Sequence, residues 1–172
     1  LGDVYKRQGL RRLLAAHPQL RVRDTSAIPI AADLEIPPAG AVGVIVANCD
    51  LLGGFSLYVQ GGKLHYTYSS LGLKVETLTS SQPVPTGKVA VRYEFTADTP
   101  DKLGTGGRGR LSVNGKPDGE NRIEHGVPLR FSSYAGMDIG KDNGDPVSQS
   151  YAAKSPFPFT GRIGKVVFDL VP

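Results

Sequence analysis

A chain of 172 residues, 40% of them hydrophobic, is a natural size for one domain with a real core. Its single cysteine, Cys49, excludes an intrachain disulfide framework and a cysteine-based zinc site. No run approaches the ~20 apolar residues of a membrane helix, and the start lacks the apolar stretch of a signal peptide. The net charge of +4 is unevenly placed. Residues 1–23 carry Lys6, Arg7, Arg11, Arg12, Arg21 and Arg23 against Asp3 alone, and the remainder carries fourteen basic against fifteen acidic residues. A nucleic-acid-binding body would be basic on one face; this body is neutral, which argues against nucleic acid as a partner.

In chain order, "GDVYKRQ" is similar to a translated adaptor sequence, so residues 1–8 read as a non-native leader. Residues 9–26 read as a basic tail or linker from a missing upstream domain, with two helical turns in "GLRRLLAAH" that are marginal alone. From residue 27 the period changes to two. Ile28, Ile30, Ala32, Leu34 and Ile36 alternate with mostly polar or small residues, as in a half-buried strand. "AVGVIVAN" is a second strand, more continuously apolar. "FSLYV" and "KLHYTYS" flank Gln60-Gly61-Gly62 as a hairpin, with Leu64, Tyr66 and Tyr68 on one face and His65 and Thr67 on the other. Tyrosine suits a pleated, half-buried surface, so those rings read as sheet packing and His65 as a solvated residue.

"VAVRYEFTA" places Val89, Val91, Tyr93 and Phe95 together, and "GRLSVNGKP" runs into Asn114-Gly115, a strong two-residue hairpin signal. "VPLRFSS", "MDIGKD" and "TGRIGKVVFDLV" add extended pieces, the last with Gly161 and Gly164 where bulges are expected. Short strands without intervening long helices predict an all-β, antiparallel jelly-roll β-sandwich over residues 27–172, preceded by a short irregular or helical basic tail.

Little in the chain reads as catalysis. "GTGGRG" matches G-x-G-x-x-G, but a strand follows where a dinucleotide site needs a helix; Arg108 and Arg110 beside it are at most an anion contact. Asp138, Asp142 and Asp145 in "DIGKDNGDPV" are weak calcium candidates, since hard cations take such oxygens, yet the EF-hand spacing is missing. Asx residues also serve ordinary turns. Cys49 as a nucleophile needs a nearby base, and nothing in the spacing ties it to His17, His65 or His125. Glu76, Glu94 and Asp33 are the carboxylates a sandwich glycosidase would need to face across a groove. No catalytic residue is assigned and no resident cofactor is expected.

The pieces "ADLEIPPAGAVGVIVAN", "GGFSLYVQGGKLHYTY", "VRYEF", "GTGGRGRLSVNGK", "DIGKDNGDPVSQSY" and "FPFTGRIGKVVFDL", in that order, resemble the C-terminal region of large bacterial arylsulfatases. The hairpin grammar is similar to concanavalin-like and laminin-G-like jelly rolls. Two departures stand at strand ends: Cys49, where that region often has glycine, and Ser69, where it often has asparagine. The resemblance implies a parent sulfuric ester hydrolase using calcium and a formylglycine made within a C/S-x-P-x-R motif. Cys49 is followed by Asp-Leu-Leu-Gly, so that motif is absent here. The resemblance therefore implies a non-catalytic domain packed against an upstream catalytic domain of the same chain, with periplasmic and cytoplasmic placements equally compatible. The alternative is a carbohydrate-binding module, weakened by the absence of tryptophan, with Tyr58, Tyr134 and Tyr151 as its platform candidates.

Overall fold

The computed structural model describes residues 29–99, 102, 104–126 and 136–168. Ten strands make two five-stranded sheets in which every paired neighbour is antiparallel. They are β1 (Ile30–Ile36), β2 (Gly43–Asp50), β3 (Gly53–Gln60), β4 (Lys63–Ser70), β5 (Lys74–Pro83), β6 (Gly87–Ala97), β7 (Gly107–Val113), β8 (Lys116–Ile123), β9 (Met137–Ile139) and β10 (Arg162–Phe168). The first sheet runs β10-β1-β6-β7-β8 and the second β5-β4-β3-β2-β9. The jelly-roll sandwich expected from the period-two patterns is the fold. Two elements on which expectations were placed, the helical turns at 9–17 and the strand "VPLRFSS", lie outside the described residues.

Alternation decides which residues meet between the sheets. Ile30, Ala32, Leu34 and Ile36 of β1 and Val89, Val91, Tyr93 and Phe95 of β6 face Phe55, Leu57, Leu64, Tyr66 and Tyr68 in one core. Tyr66 and Tyr93 stack across the sheets, centroids 3.4 Å apart and planes 10° from parallel. Tyr66 and Tyr68 are thus sheet packing, as their register predicts. The glycines of "GRGRL" have a packing reason: a side chain on Gly107 would strike the Phe95 ring at 2.4 Å. The G-x-G-x-x-G match ends inside β7 and opens no helix.

Turn chemistry fixes the register. Gly61 and Gly62 (φ 58° and 76°) close β3–β4, and Asn114 and Gly115 (φ 50° and 75°) close β7–β8, each a two-residue left-handed turn. Gly164 is the extra residue of a β-bulge, because Asp33 pairs with Lys165 while Leu34 pairs with Ile163. β5, assigned no strand from sequence, is an edge strand on which only Leu78 and Ser80 are buried.

Candidate functional site

Two of the three rings that the carbohydrate-binding alternative would use, Tyr58 and Tyr151, are not on the surface. Tyr58 points to the outer face of the second sheet, where residues 140–157 fold over it, and it is 1% exposed. With Val44, Ala47, Val147, Tyr151 and Phe157 it forms a second small core. Tyr151, also 1% exposed, sits on a six-residue 3-10 segment (Gln149–Lys154) and meets Tyr58 edge-on at 4.9 Å. The Tyr58 hydroxyl is bound to Thr67 Oγ1 (3.1 Å) and Ser150 Oγ (2.9 Å). Burial against a covering segment, which a local period cannot foretell, removes both rings from the list of sugar-stacking faces. Tyr134 lies outside the described residues.

The calcium candidates do separate local work. Buried Asp142 accepts from the Tyr151 hydroxyl (2.5 Å) and the Val147 N–H (3.0 Å), both through Oδ2. Burial raises its carboxyl above the usual value, and those two hydrogen bonds only partly oppose this. Asp138 accepts from the Asn143 N–H (3.1 Å), and Asp145 is exposed. Among the described residues no three carboxylate, imidazole or thiol groups converge on one point.

His65 is half-buried rather than solvated. Its ring stacks on Tyr58 at 5.0 Å, Nε2 donates to the Gln60 carbonyl (3.0 Å), and Nδ1 accepts from the Thr79 hydroxyl (2.9 Å). Burial lowers its pKa below the ordinary 6.5. Between that lowered value and 6.5 the unfolded chain binds the proton first, so stability is complete above the window and falls as pH drops through it. A melting temperature followed from about pH 7.5 to about pH 5.5 should therefore fall more steeply in the parent than in His65→Gln. Parallel slopes would contradict the assignment. Cys49 is buried at the end of β2, and burial, with Asp50 adding to it, pushes its thiol up to about 12. It is poorly disposed to ionise as a nucleophile. Its φ of 66° lies in the left-handed region, a position where glycine is the unstrained choice.

Two further surfaces of the described residues bear on binding. The outer face of the first sheet is charged, and it divides in two. On β6–β8 the charges neutralise one another: Glu120 holds Arg108 (2.6 Å) and Arg110 (2.9 Å), while Arg122 holds Asp98 (2.6 Å). Arg108 and Arg110 are thereby occupied. On β10, β1 and the start of β6 the face sinks into a trough of about 460 Å³ lined by Asp33, Glu35, Lys88, Ala90, Asn114 and Gly164, among others. A second hollow of about 270 Å³, sharing Asp33, continues it past Ala31, Arg92 and Lys165.

The other surface is apolar. Leu52 in the β2–β3 turn and Leu71 and Leu73 in the β4–β5 turn are 59%, 55% and 85% exposed. The two turns touch: Ser69 Oγ donates to the Leu51 carbonyl, and a Cβ on Gly72 would lie 3.3 Å from Leu52 Cδ2. Val75, also exposed, adjoins them. The pairings Ile30–Tyr93 and Ile30–Phe168, with the Glu124 N–H donating to Glu76 Oε1, put the start of β1 and the end of β10 at this same end of the sandwich. Leu71 holds φ 55°, a conformation that strains a leucine by about 1 kcal/mol. Leu71→Gly should therefore raise stability in denaturant by about 1 kcal/mol although it deletes an apolar side chain. A loss of stability would mean that the side chain is needed by the isolated fold.

No family model matches the chain, and neither does any curated protein. Solved structures of the same fold do. Domains LG4-5 of the mouse laminin α1 chain superpose with a TM-score of 0.65 at 13% identity, over 88% of this chain and 37% of that one. The CBM40 module of the Ruminococcus gnavus IT-sialidase, bound to α2,3-sialyllactose, gives 0.57 at 14% identity, over 85% and 78%. The LG1-3 region of the laminin α2 chain gives 0.56 at 14%, over 88% and 29%. The chain thus spans well under half of either laminin fragment. These likenesses establish a laminin-G-like, concanavalin-type sandwich.

Proposed function

We propose that this sandwich is a docking domain of a larger hydrolase of the arylsulfatase kind, held against its neighbouring domain by the apolar end. The observation that carries the reading is the cluster of Leu52, Leu71, Leu73 and Val75, exposed beside the point where the chain enters β1. Exposed leucines that project from two interlocked turns are costly in water and gain by being covered. A leucine kept in a strained left-handed turn is consistent with a side chain retained for contact. The neighbour would be the upstream domain that the sequence resemblance implies, with the sulfate-ester chemistry residing there.

Recovering the reading frame upstream of Leu1 from the source DNA tests this. A C/S-x-P-x-R motif several hundred residues upstream is the expected result, and a different upstream domain would overturn it. Carbohydrate binding is the reading to set beside docking, because one module of this fold is named for its sialyllactose complex. It cannot run through the buried rings of Tyr58 and Tyr151. Among the described residues, the trough on the first sheet is a hollow open to such a ligand.

A further inference from the structure

The loop that carries the Asp142 carboxylate also holds a peptide link prone to rearrange. An asparagine before glycine is chemically vulnerable, because glycine has no Cβ to keep the following backbone nitrogen away from the side-chain carbonyl. The chain has three steps of this kind: Asn114-Gly115, Asn143-Gly144 and, with an acid in place of the amide, Asp118-Gly119. The fold restrains two of them. Asn114 Oδ1 accepts from the Ala90 N–H (2.9 Å) while the Asn114 N–H donates to the Ala90 carbonyl (2.7 Å), which draws the carboxamide toward β6. Asp118 Oδ1 accepts from Ser81 Oγ and from the Gln82 N–H, both on β5. Asn143 is exposed, and among the described residues its only hydrogen bond is its own N–H to Asp138 Oδ2 (3.1 Å). Gly144 is exposed too, at φ 90°, with nothing within 4 Å of where a Cβ would stand. The carboxamide of Asn143 and the nitrogen of Gly144 are therefore free to turn toward each other.

We infer that Asn143 is a site of spontaneous modification, and that its conversion loosens the segment folded over Tyr58. The Gly144 nitrogen gives its proton to solvent base and bonds to Asn143 Cγ. The Cγ–Nδ2 bond breaks, and Nδ2 leaves as ammonia with a proton from water. Water then opens the cyclic imide at either carbonyl. Opening at Cγ leaves aspartate; opening at the main-chain carbonyl leaves isoaspartate, in which the chain runs through the side-chain methylene. No oxidant or reductant takes part. The product matters because residue 143 lies inside the ring that Asp142 Oδ2 closes with the Val147 N–H (3.0 Å). An isoaspartyl link lengthens the main chain within that ring, and the new carboxylate stands beside Asp138, a like charge that opposes it. The inference is independent of the docking surface, which involves neither residue.

The test ages the whole chain at mildly alkaline pH, folded and in urea, and follows the amide-to-acid mass gain in tryptic peptides. Cleavage after Lys141 and Lys154 isolates Asn143, and cleavage after Arg110 and Arg122 isolates Asn114. In the folded protein the Asn143 peptide should convert at least about tenfold faster, the weight of the hydrogen bond that holds Asn114. In urea the two should convert alike, since both precede glycine. An isoaspartyl methyltransferase should label the aged Asn143 peptide and leave Asn143→Gln, an exposed and conservative change, unlabelled there. Hydrogen exchange at the Val147 N–H should be about tenfold faster in the isoaspartyl protein than in fresh protein. Asn143→Asp, which adds the charge but no main-chain atom, should shift that exchange less. Equal conversion of the two asparagines in the folded protein, or faster conversion of Asn114, would overturn the inference. So would an isoaspartyl protein whose Val147 exchange matches that of the fresh one.

Discussion

Asp142→Ala is expected to destabilise the sandwich by about 3 kcal/mol, because it strips a charged acceptor from two buried donors at once. For a chain of this length that is a fall of roughly 10 °C in melting temperature. The Tyr151 hydroxyl and the Val147 N–H both end on Asp142 Oδ2, at 2.5 and 3.0 Å. Through them the carboxylate ties residues 140–157 down on Tyr58. Asp142→Asn should cost only about 1 kcal/mol, since an amide oxygen still accepts and its burial carries no charge penalty. The burial that raises the Asp142 carboxyl above its usual value is the reason for that asymmetry. Equal losses in the two variants, by chemical denaturation, would mean that volume and not the hydrogen bonds holds the segment. An unchanged Asp142→Ala would mean that the segment is held elsewhere.

The other large effect concerns the apolar end. Each leucine of the β4–β5 turn, once covered by a partner, contributes about 1.5 kcal/mol or more. Leu71→Ser with Leu73→Ser should then weaken association with the upstream domain supplied in trans by about 100-fold. The isolated sandwich should keep its fold, since Leu73 is 85% exposed and contributes little to the core. Isothermal titration reads the difference. An affinity within about threefold of the parent would move the docking surface elsewhere on the sandwich.

Strand content was legible wherever one face is buried and the other is wet. β1 and β6 alternate cleanly because the charged outer face of the first sheet leaves their outward residues in water. β2 announced something different by being apolar almost throughout. It is buried on both faces, because residues 140–157 cover the outside of the second sheet. That cover was the missed element. Its 3-10 segment is too short to have a period, and its latch joins Asp142 to Tyr151 across a loop. Hence Tyr58 and Tyr151 looked free, and His65 looked solvated. β5 was passed over because an edge strand buries only two of its side chains, Leu78 and Ser80. The apolar end proposed for docking has no local sequence signature. The apolar end needs two hairpin turns, some twenty residues apart, to touch.

The docking claim is tested most directly by amide hydrogen exchange, measured on this chain alone and on the protein extended by its native upstream sequence. The account predicts slower exchange at Leu52 and from Leu71 to Val75 in the extended protein, with no change from Glu120 to Ile123 on the charged face. Unchanged exchange at both turns, with protection appearing over the charged face instead, would contradict it.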